Sequence, residues 1–421
     1  MLKAGTSIID ISPKKGIQLA GYPHCPRPNE GVHDPLYASF LYLESGKDKL
    51  CIVTLDVLYI SKQNAKRVRE KFDFPISFTA THTHSGPRLA EGIAGNEIDR
   101  EYVAFFEDAL IRGIEEAKEN TFDALLGTGI GHAGAEVGVG GNRRTKGGIC
   151  DPEVCVLAVK DMRGDIRSIL VNYALHPTYL HAENVLVTAD YPAYIRRFFH
   201  FAQPKAVCMF AQGASGNQSS RYHRTEQSFE EAARVGTTIG MEVNRVLGKI
   251  EFSDEIPLSY KSMEIELPLK EFPPIPVLEE NVRVAREKFE ALKDGDYIPM
   301  RNAELFMFGE ENTLHYATQI ANGTFKSPEL PMEIQFITIG DTLIVTVQGE
   351  IFVEYGLAVK EASPMKKTFF FETTNGALVG YVCTPEAIAA GGYETGTSML
   401  SPEAGDVILN KIKEELKNVY I

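Results

Sequence analysis

Residues 49–87 read KLCIVTLDVLYISKQNAKRVREKFDFPISFTATHTHSGP and contain the pattern that decides the fold. The segment begins with a run of apolar and β-branched residues, 49–61, and a second such run occupies residues 75–81. Between these runs, residues 61–72 have a helical pattern, with Ser61 as a candidate N-cap. The order strand, helix, strand is typical of a parallel or mixed sheet. We therefore predict an α/β fold with a mixed β-sheet core and flanking helices.

The following residues continue this alternation. Apolar residues at helical spacing predict a helix at about residues 99–118. Two strand-like runs joined at residues 163–165, which read RGD, predict a hairpin. A strand in residues 206–220 then runs into a glycine-rich loop, and a helix is predicted at about 226–247.

Changes in composition divide the chain into three predicted regions. Residues 1–250 form the first part of an α/β catalytic core. Residues 251–331 are rich in proline, glutamate and lysine, and we predict a helical, proline-containing insertion or subdomain there. Residues 332–421 complete the core with β-rich segments and a closing helix at 402–419. One predicted helix of the insertion has an apolar stripe for its buried face, made of Leu278, Val282, Ala285, Phe289 and Leu292.

Length and charge argue against several classes of protein. At 421 residues the chain can form one large or two medium domains, each with a substantial interior. Its 44% hydrophobic and 24% charged residues are typical of globular proteins. The net charge of -14 argues against a binder of nucleic acid or of anionic membranes, because such partners require basic surface. We expect a small-molecule substrate as partner, and the composition is compatible with a homo-oligomer without specifying one.

The amino terminus and the cysteines predict a cytoplasmic protein. The first residues, MLKAGTSIIDISPKKG, lack the apolar segment and cleavage site of a secretion signal. The sequence contains no run of about 18 apolar residues, so no transmembrane segment is predicted. The cysteines have no CxxC spacing and are expected to be reduced; they are Cys25, Cys51, Cys150, Cys155, Cys208 and Cys383.

The motif THTHSGP, residues 81–87, contains two histidines that could share a cavity. Side chains alternate along an extended segment, so His82 and His84 are expected to point the same way. A zinc ion requires imidazoles that converge from one side. The motif alone favours a hydrogen-bonded pair in a polar turn over a metal site.

Two further residues follow the ends of predicted strands. His176 lies at the end of a strand, and Pro177 after it cannot extend the ladder, so the imidazole is expected at the rim of the sheet. Glu350 follows an apolar strand and a glycine and could supply an oxygen ligand. A strand-end histidine and a helix first-turn acid are the structural alternatives. His181 and Asp190 are alternative ligands or hydrogen-bond partners of the ligands.

Glycine-rich segments supply the remaining candidates. Tyr381 and Tyr393 lie among glycines, which predicts exposed backbone close to a ligand. Arg143 lies in a glycine-rich loop and could hold an oxyanion or a carboxylate by a forked contact. Ser219 follows a strand, but the loop before it does not match GxSxG, so a role in orienting a substrate is favoured over a nucleophile. Packed tyrosines and a solvated arginine are the alternatives.

Together these motifs resemble the neutral, non-lysosomal ceramidase family. The matching motifs, in chain order, are GYPHCP, GVHDPLYASFLYL, THTHSGP, GNRR, NYALHPT, FAQGASGNQS, QGE and GYVCTPEAIAAGGYETG. They lie within residues 5–396 and correspond to the catalytic domain of that family. The resemblance implies a zinc-dependent hydrolase in which a metal-activated water attacks an amide-type carbonyl carbon.

The resemblance also implies which residues bind the metal. Carried over motif by motif, the ligands of one zinc ion are His82, His176, Glu350 and Tyr381. This places the zinc site at strand ends. Another divalent metal is not excluded by two imidazoles, a carboxylate and a phenol.

The residues that surround the scissile amide in the family match three other positions. They are His84, as general acid or base, and Arg143 and Tyr393, as groups that stabilise the oxyanion. Thr395 stands where the family has a glycine. The serine of the FAQ loop corresponds to Ser219, which we expect to orient the substrate.

Two alternative functions stay open beside ceramide hydrolysis. The chain is expected to lack the secretion signal and the additional immunoglobulin-like domain of the family's ceramide-cleaving enzymes, and residues 252–331 contain no obvious apolar groove for a long acyl chain. A cytoplasmic metal-dependent hydrolase of a small polar, carbohydrate-derived substrate is therefore the first alternative, cleaving an amide, a lactone or a C–C bond next to a ketone, cyclic substrates included. The second is a non-catalytic metabolite-binding protein with a structural metal.

Overall fold

Two β-sheets that pack face to face form the centre of the computed structural model, which describes residues 1–22, 26–89, 98–324, 330–376 and 380–418. The strands are β1 (Leu2–Asp10), β2 (Gly31–Val32), β3 (Tyr37–Ser45), β4 (Asp48–Leu55), β5 (Ile76–Ala80), β6 (Phe122–His132), β7 (Gly141–Asn142), β8 (Glu153–Asp161), β9 (Ile166–Tyr173), β10 (Leu186–Val187), β11 (Val207–Gln212), β12 (Gln218–Ser219), β13 (Leu258–Ile265), β14 (Met332–Ile339), β15 (Thr342–Val347), β16 (Glu350–Ile351), β17 (Lys367–Phe371) and β18 (Tyr381–Val382). The helices are α1 (Lys62–Arg69), α2 (Arg100–Glu119), α3 (Tyr191–Ala202), α4 (Phe229–Leu247), α5 (Ile275–Leu292), α6 (Tyr297–Ala321), α7 (Val353–Ala362), α8 (Pro385–Ala390), α9 (Tyr393–Thr397) and α10 (Ala404–Leu416).

Both large sheets combine antiparallel and parallel pairs. The larger sheet has the order β11-β9-β8-β6-β1-β3-β4-β5, in which the pairs β4–β5 and β9–β11 are parallel. The smaller sheet has the order β13-β14-β15-β17, in which β15 and β17 are parallel. The prediction of an α/β fold with a mixed sheet core and flanking helices is confirmed.

Alternation along the strands divides the interior into layers. In β3, Phe40 and Tyr42 pack in a cluster with residues of α1 and α2, whereas Leu41 and Leu43 pack against the smaller sheet. Helices α3 and α4 cover the other end of the larger sheet, and α7 and α10 cover the outer face of the smaller one. The layers therefore run helix, sheet, sheet, helix. Each fully buried Leu or Phe in these clusters contributes about 1.5–3 kcal/mol of hydrophobic stabilisation.

The structure contains several elements that local sequence signals mark. Ser61 is the N-cap of α1, and its side chain accepts a hydrogen bond from the Asn64 N–H. Asp99 caps α2 in the same way through the Tyr102 N–H. The strands β8 and β9 form the predicted antiparallel hairpin. The closing helix α10 ends at Leu416, and residue 419 of its predicted range lies outside the described residues, as does Cys25.

The region 251–331 contains a strand as well as helices. Helices α5 and α6 pack against each other, and Leu278, Val282 and Ala285 of the predicted stripe are buried. However, β13 precedes them and pairs with β14 along its whole length. No strand was expected here, because β13 lies at a sheet edge and several of its side chains are polar and exposed. The three-region division of the chain stays a prediction.

Three strands end close to one another at the rim where the two sheets meet. These are β5 and β9 of the larger sheet and β15 of the smaller one. Backbone bonds tie the sheets together here, since Ala80 N–H donates to Thr373 O and Asn375 N–H donates to Phe78 O. Side chains that follow these strands are therefore brought to one place.

Two further properties bear on the setting of the protein. Within the described ranges, no helix has both the length and the apolar character required to cross a membrane. The five described cysteines are free thiols; Cys150 is half-buried, and the buried ones are Cys51, Cys155, Cys208 and Cys383.

Candidate metal centre

Residues from the three strand ends converge on one buried point. His82 lies two residues after β5, His176 three residues after β9, and Glu350 three residues after β15. The Nε2 atom of His176 lies 2.8 Å from Oε2 of Glu350, and Nε2 of His82 lies 3.4 Å from the same oxygen. The exposed fractions are 1% for His82, 0% for His176 and 5% for Glu350. Three groups that are far apart in the sequence thus meet away from solvent.

Backbone carbonyls fix the orientation of both rings. Nδ1 of His82 lies 2.9 Å from the carbonyl oxygen of Leu58, and Nδ1 of His176 lies 2.7 Å from that of Ser215. A carbonyl only accepts, so each Nδ1 carries the proton and donates. Each Nε2 therefore presents a lone pair to the point of convergence, which is the arrangement typical of metal-binding histidines.

This arrangement fits a metal ion. Two imidazole lone pairs and a carboxylate would face one another at 2.8 and 3.4 Å, and such acceptors repel unless a cation lies among them. Neutral imidazole nitrogens and a carboxylate oxygen are also the donor types that zinc prefers. The residues present therefore match a divalent transition metal in chemistry.

Ionisation of the site follows from burial and neighbouring charge. Burial, reinforced by the charge of Arg143, lowers the pKa of His176 to about 4. Burial acts against the ionised form of Glu350, but the attraction of the neighbouring His82 and His176 outweighs it and holds its pKa well below the usual range. At neutral pH the site thus contains a neutral His176 and an ionised Glu350.

The backbone at His82 is strained. We expected an extended segment here, but His82 has a φ of 64°, in the left-handed region that non-glycine residues rarely occupy. Its N–H donates to Val57 O at 3.0 Å, and its ring is held by Leu58 O. Such strain costs on the order of 1–3 kcal/mol and persists only where the surroundings impose it, typically at functional sites.

His84 lies beside these residues, with both ring nitrogens buried and without hydrogen-bond partners among the described residues. Its ring centre lies 5.0 Å from that of His82 and 5.7 Å from that of His176. The three histidines offer ligand atoms within 4.8 Å of one another, so His84 could also bind a metal. Burial, followed by the charges of His82 and His176, lowers the pKa of His84 well below its usual value. The geometry thus allows a third ligand or a neutral base.

A close backbone approach shapes the space around His84. Gly21 has a φ of 97°, and a Cβ atom there would lie 2.6 Å from Cβ of His84. Tyr22 packs edge-on against the His84 ring, with 5.2 Å between centres. The guanidinium of Arg27 donates to His84 O at 2.5 Å. Sequence reasoning missed this segment as a wall of the site, although its glycine is a recognisable signal.

Tyr381 lies next to Glu350 because β16 and β18 pair in parallel with these two residues in register. Its ring centre lies 5.3 Å from the guanidinium carbon of Arg143 and 5.9 Å from the ring centre of Tyr393. Burial and the charge of Glu350 raise the pKa of Tyr381 well above its usual value. The structure therefore brings Tyr381, Arg143 and Tyr393 together at the candidate centre.

Glu394 orients Arg143. It is buried in α9 and accepts hydrogen bonds from Nε of Arg143 at 2.9 Å and from Nη1 of Arg144 at 2.6 Å. This leaves Nη2 of Arg143 buried without a hydrogen-bond partner in the part of the chain that the structure describes. Sequence reasoning missed Glu394, although it directly follows Tyr393 in the glycine-rich motif.

Glu372 contacts the segments that position His176 and Glu350. Its carboxylate accepts hydrogen bonds from the Ser215 hydroxyl at 2.5 Å and from the Ile351 N–H at 2.6 Å. Ser215 in turn positions His176, and Ile351 is the neighbour of Glu350. Sequence reasoning did not identify Glu372, because its role depends on contacts between distant segments.

The remaining candidates have separate positions. Ser219 lies in β12, which pairs with β7 beside Arg143, and its hydroxyl accepts from the Arg221 N–H at 3.2 Å. His181 interacts with Glu183 at 3.0 Å and is not in the histidine cluster. Asp190 is the N-cap of α3 and accepts from the N–H groups of Leu180 and Tyr191. Asp190 is therefore a structural cap, and His181 belongs to the cavity wall.

A cavity of about 250 Å³ opens beside this centre. All four residues predicted as catalytic line it, together with Tyr381. One face of α6 forms the opposite wall, so the region 251–331 contributes to the site. The main lining residues are Tyr22, His84, Arg143, His181, Glu183, Ser219, Arg221, Arg224, Tyr297, Met300, Arg301, Glu304, Leu305, Phe308, Tyr381, Tyr393 and Glu394.

Solved structures with the same fold exist. The crystal structure of neutral ceramidase from Pseudomonas aeruginosa superposes with a TM-score of 0.75 over 100% of this chain and 75% of that chain, at 19% sequence identity. A ceramidase complexed with C2 superposes with a TM-score of 0.74 over 99% of this chain and 75% of that chain, at 17% identity. No protein-family model and no curated protein sequence matches the chain. The chain therefore has the fold of these ceramidases, and the resemblance predicted from its motifs is confirmed at the level of the fold.

Proposed function

We propose that this protein is a metal-dependent hydrolase that cleaves an amide-type carbonyl bond with the help of one zinc ion. The observation that carries the proposal is the convergence of two imidazole Nε2 atoms on the Glu350 carboxylate, at 2.8 and 3.4 Å. With both rings neutral, a cation bound among these lone pairs would offset the repulsion between them. The fold shared with neutral ceramidase supports a hydrolase.

The proposed ligands are His82, His176, Glu350 and Tyr381. When bound, the ion would polarise the scissile carbonyl and lower the pKa of a water to about 7. We assign Tyr381 as a ligand because the pairing of β16 with β18 places it directly beside Glu350. His84 is the alternative fourth ligand, because its nitrogens lie within the same cluster.

We assign the substrate-facing roles to residues that line the cavity. His84 is neutral and has free ring nitrogens, so it can take a proton from the attacking water and give it to the leaving nitrogen. Arg143 directs its unpaired Nη2, with Tyr393 nearby, to the carbonyl oxygen where negative charge develops. Ser219 orients the substrate rather than attacking it.

Among substrates, the cavity favours a small polar molecule over a lipid with two long chains. Its volume of about 250 Å³ is below the roughly 300–1,000 Å³ usual for drug-sized ligands. Charged side chains from α6 and from the loop after Ser219 form much of its wall. The alternative of a cytoplasmic hydrolase acting on a small polar substrate, with carbohydrate-derived and cyclic compounds included, therefore takes precedence over ceramide. The free cysteines support the cytoplasmic location.

The first test is metal content combined with hydrolysis. We expect purified protein to contain about one equivalent of zinc or another divalent transition metal, and to hydrolyse members of a panel of amides and lactones. His82→Ala removes an Nε2 ligand, so metal content and activity should both fall more than about 100-fold. His200→Ala, an exposed histidine on α3, is the matched control and should change neither.

Two results would contradict the proposal. A native protein without transition metal, whose His82→Ala variant is unchanged in metal content and activity, is incompatible with it. A metal that binds through His82 while no member of the panel is hydrolysed would favour the second alternative, a metabolite-binding protein with a structural metal.

A further inference from the structure

The cavity beside the candidate metal centre has an excess of positive charge. Four arginines line it, and three glutamates accompany them. These residues are Arg143, Arg221, Arg224 and Arg301, with Glu183, Glu304 and Glu394. A protein of net charge -14 has no general shortage of acidic residues, so this local excess calls for an explanation.

Each of the three glutamates already has a cationic or histidine partner. Glu394 is shared by Arg143 and Arg144, at 2.9 and 2.6 Å. Glu304 pairs with Arg301 one turn away on α6. Glu183 lies 3.0 Å from Nδ1 of His181. Among the described residues, these carboxylates therefore form their ion pairs with residues other than Arg221 and Arg224.

Arg221 is held in place by neutral oxygens. Its Nη1 donates to Arg143 O at 3.1 Å and to Asn302 Oδ1 at 3.2 Å. Among the described residues, no carboxylate forms an ion pair with it. Burial, followed by the charge of Arg143, lowers the pKa of Arg221 to about 10, and the charge of Glu394 opposes this shift.

Arg224 is held in a similar way. Its Nη1 donates to the Ser220 hydroxyl at 3.1 Å, and its Nη2 donates to the Tyr297 hydroxyl at 2.8 Å. In the described part of the chain it forms no ion pair with an acid either. Neutral acceptors fix a guanidinium group but leave its charge uncompensated, which is the state expected of an anion-binding arginine.

We propose that the cavity binds a substrate with an anionic group, a carboxylate, phosphate or sulfate, through Arg221 and Arg224. This inference rests on the proposed function, since it names the substrate class of that same site. The reacting carbonyl lies toward His84 and the unpaired Nη2 of Arg143. Met300, Leu305 and Phe308 of α6 offer an apolar surface for the remainder of the molecule. The substrate is thus a small amide-type compound with a negative charge a few bonds from the scissile carbonyl.

The test is a calorimetric titration of the purified full-length protein with four probes that the proposed reaction cannot consume. Hexanoate, hexyl phosphate and hexyl sulfate share one chain and distinguish the three anionic groups, and 1-hexanol is the neutral reference. We expect at least one anion to bind more than about tenfold more tightly than 1-hexanol. A metal chelator should leave this preference in place, because the arginines and not the ion recognise the charge.

Variants assign the preference to the two arginines. Arg224→Gln should reduce the affinity for the favoured anion about tenfold and leave metal content unchanged. Arg221→Gln should do the same, and thermal melting would detect loss of folding in either variant. The matched control is Arg234→Gln, because Arg234 pairs with Glu231 outside the cavity.

Equal binding of 1-hexanol and the anions, no binding of any anion, or an Arg224→Gln variant with unchanged affinity would each overturn the inference. Failure of the proposed function is distinguishable from these results. If the anions bind through Arg224 while the amide panel is not hydrolysed, the hydrolase proposal fails and the anion site stands.

Discussion

The two walls of the cavity are built in different ways. The metal-side wall consists of strand ends from two sheets, and backbone carbonyls orient its nearly inaccessible histidines. The opposite wall consists of the loop after β12 and one face of α6, where partly exposed arginines are held by side chains. The first construction fixes a few atoms rigidly, as metal chemistry requires. The second can change with little effect on the sheets, so under the proposed function the first wall would determine the reaction and the second the choice of substrate.

Arg143 lies between the two walls and gives the sharpest test of this separation. Arg143→Lys keeps the charge beside Glu394 but removes the unpaired Nη2 donor. We expect kcat to fall about 100-fold or more, as for loss of an oxyanion donor, while metal content stays unchanged. Steady-state kinetics and metal analysis would measure both, with Arg283→Lys on the exposed face of α5 as the control. A variant with wild-type kcat would remove Arg143 from the reaction.

Glu372 tests the metal-side wall alone. Glu372→Gln leaves one acceptor oxygen where two now receive hydrogen bonds from Ser215 and Ile351. The supports of His176 and Glu350 should loosen, and metal affinity should fall about 10- to 100-fold. Competition with a chromophoric chelator would measure this change. Anion binding at Arg224 should be unaffected, and Glu361→Gln, an exposed position at the end of α7, should behave as the wild type.

A Glu372→Gln variant with wild-type metal affinity would show that the backbone carbonyls orient the ligands without this carboxylate. A variant that loses anion binding as well would show that the two walls are coupled. Either outcome changes the comparison between them.

Local patterns predicted the metal-side wall much better than the opposite wall. The motif around His82 and the strand end at His176 are visible in short segments, because strands and turns have local signals. Glu394 and Arg143 are about 250 positions apart, and nothing in either segment indicates that they meet. Arg221 was missed for the same reason, since its partner Asn302 belongs to a helix whose docking depends on tertiary packing.

The fold shows the same limit. The strand–helix–strand order of residues 49–81 predicted the mixed sheet, and Ser61 marked the start of α1. The strand β13 was missed because its exposed polar side chains conceal the two-residue period. The stacking of two sheets was also not predicted. Alternation along a strand shows which face is buried, but it does not show whether a helix or a second sheet packs on that face.

Asp190 gives the smallest predicted effect and tests the loop that contributes His181 and Glu183 to the cavity. It binds the N–H groups of Leu180 and Tyr191, and the loop between them carries His181 and Glu183 into the cavity. Burial raises the pKa of Asp190 from its ordinary 3.8 to about 7. A carboxyl with a raised pKa stabilises the folded state fully below about pH 4, and this contribution is lost as the pH rises through about 7. Asp190→Asn cannot titrate, so the wild type should lose stability relative to this variant between pH 5 and pH 8.

Urea unfolding of both proteins at these two pH values would measure the effect. We expect the difference in free energy of unfolding to change by at least about 1.4 kcal/mol, which corresponds to a tenfold change in proton affinity. Asp294→Asn, at an exposed position between α5 and α6, should show no such change. A difference that is independent of pH would mean that the backbone N–H groups keep Asp190 ionised throughout, and that the loop carrying His181 and Glu183 is insensitive to protonation.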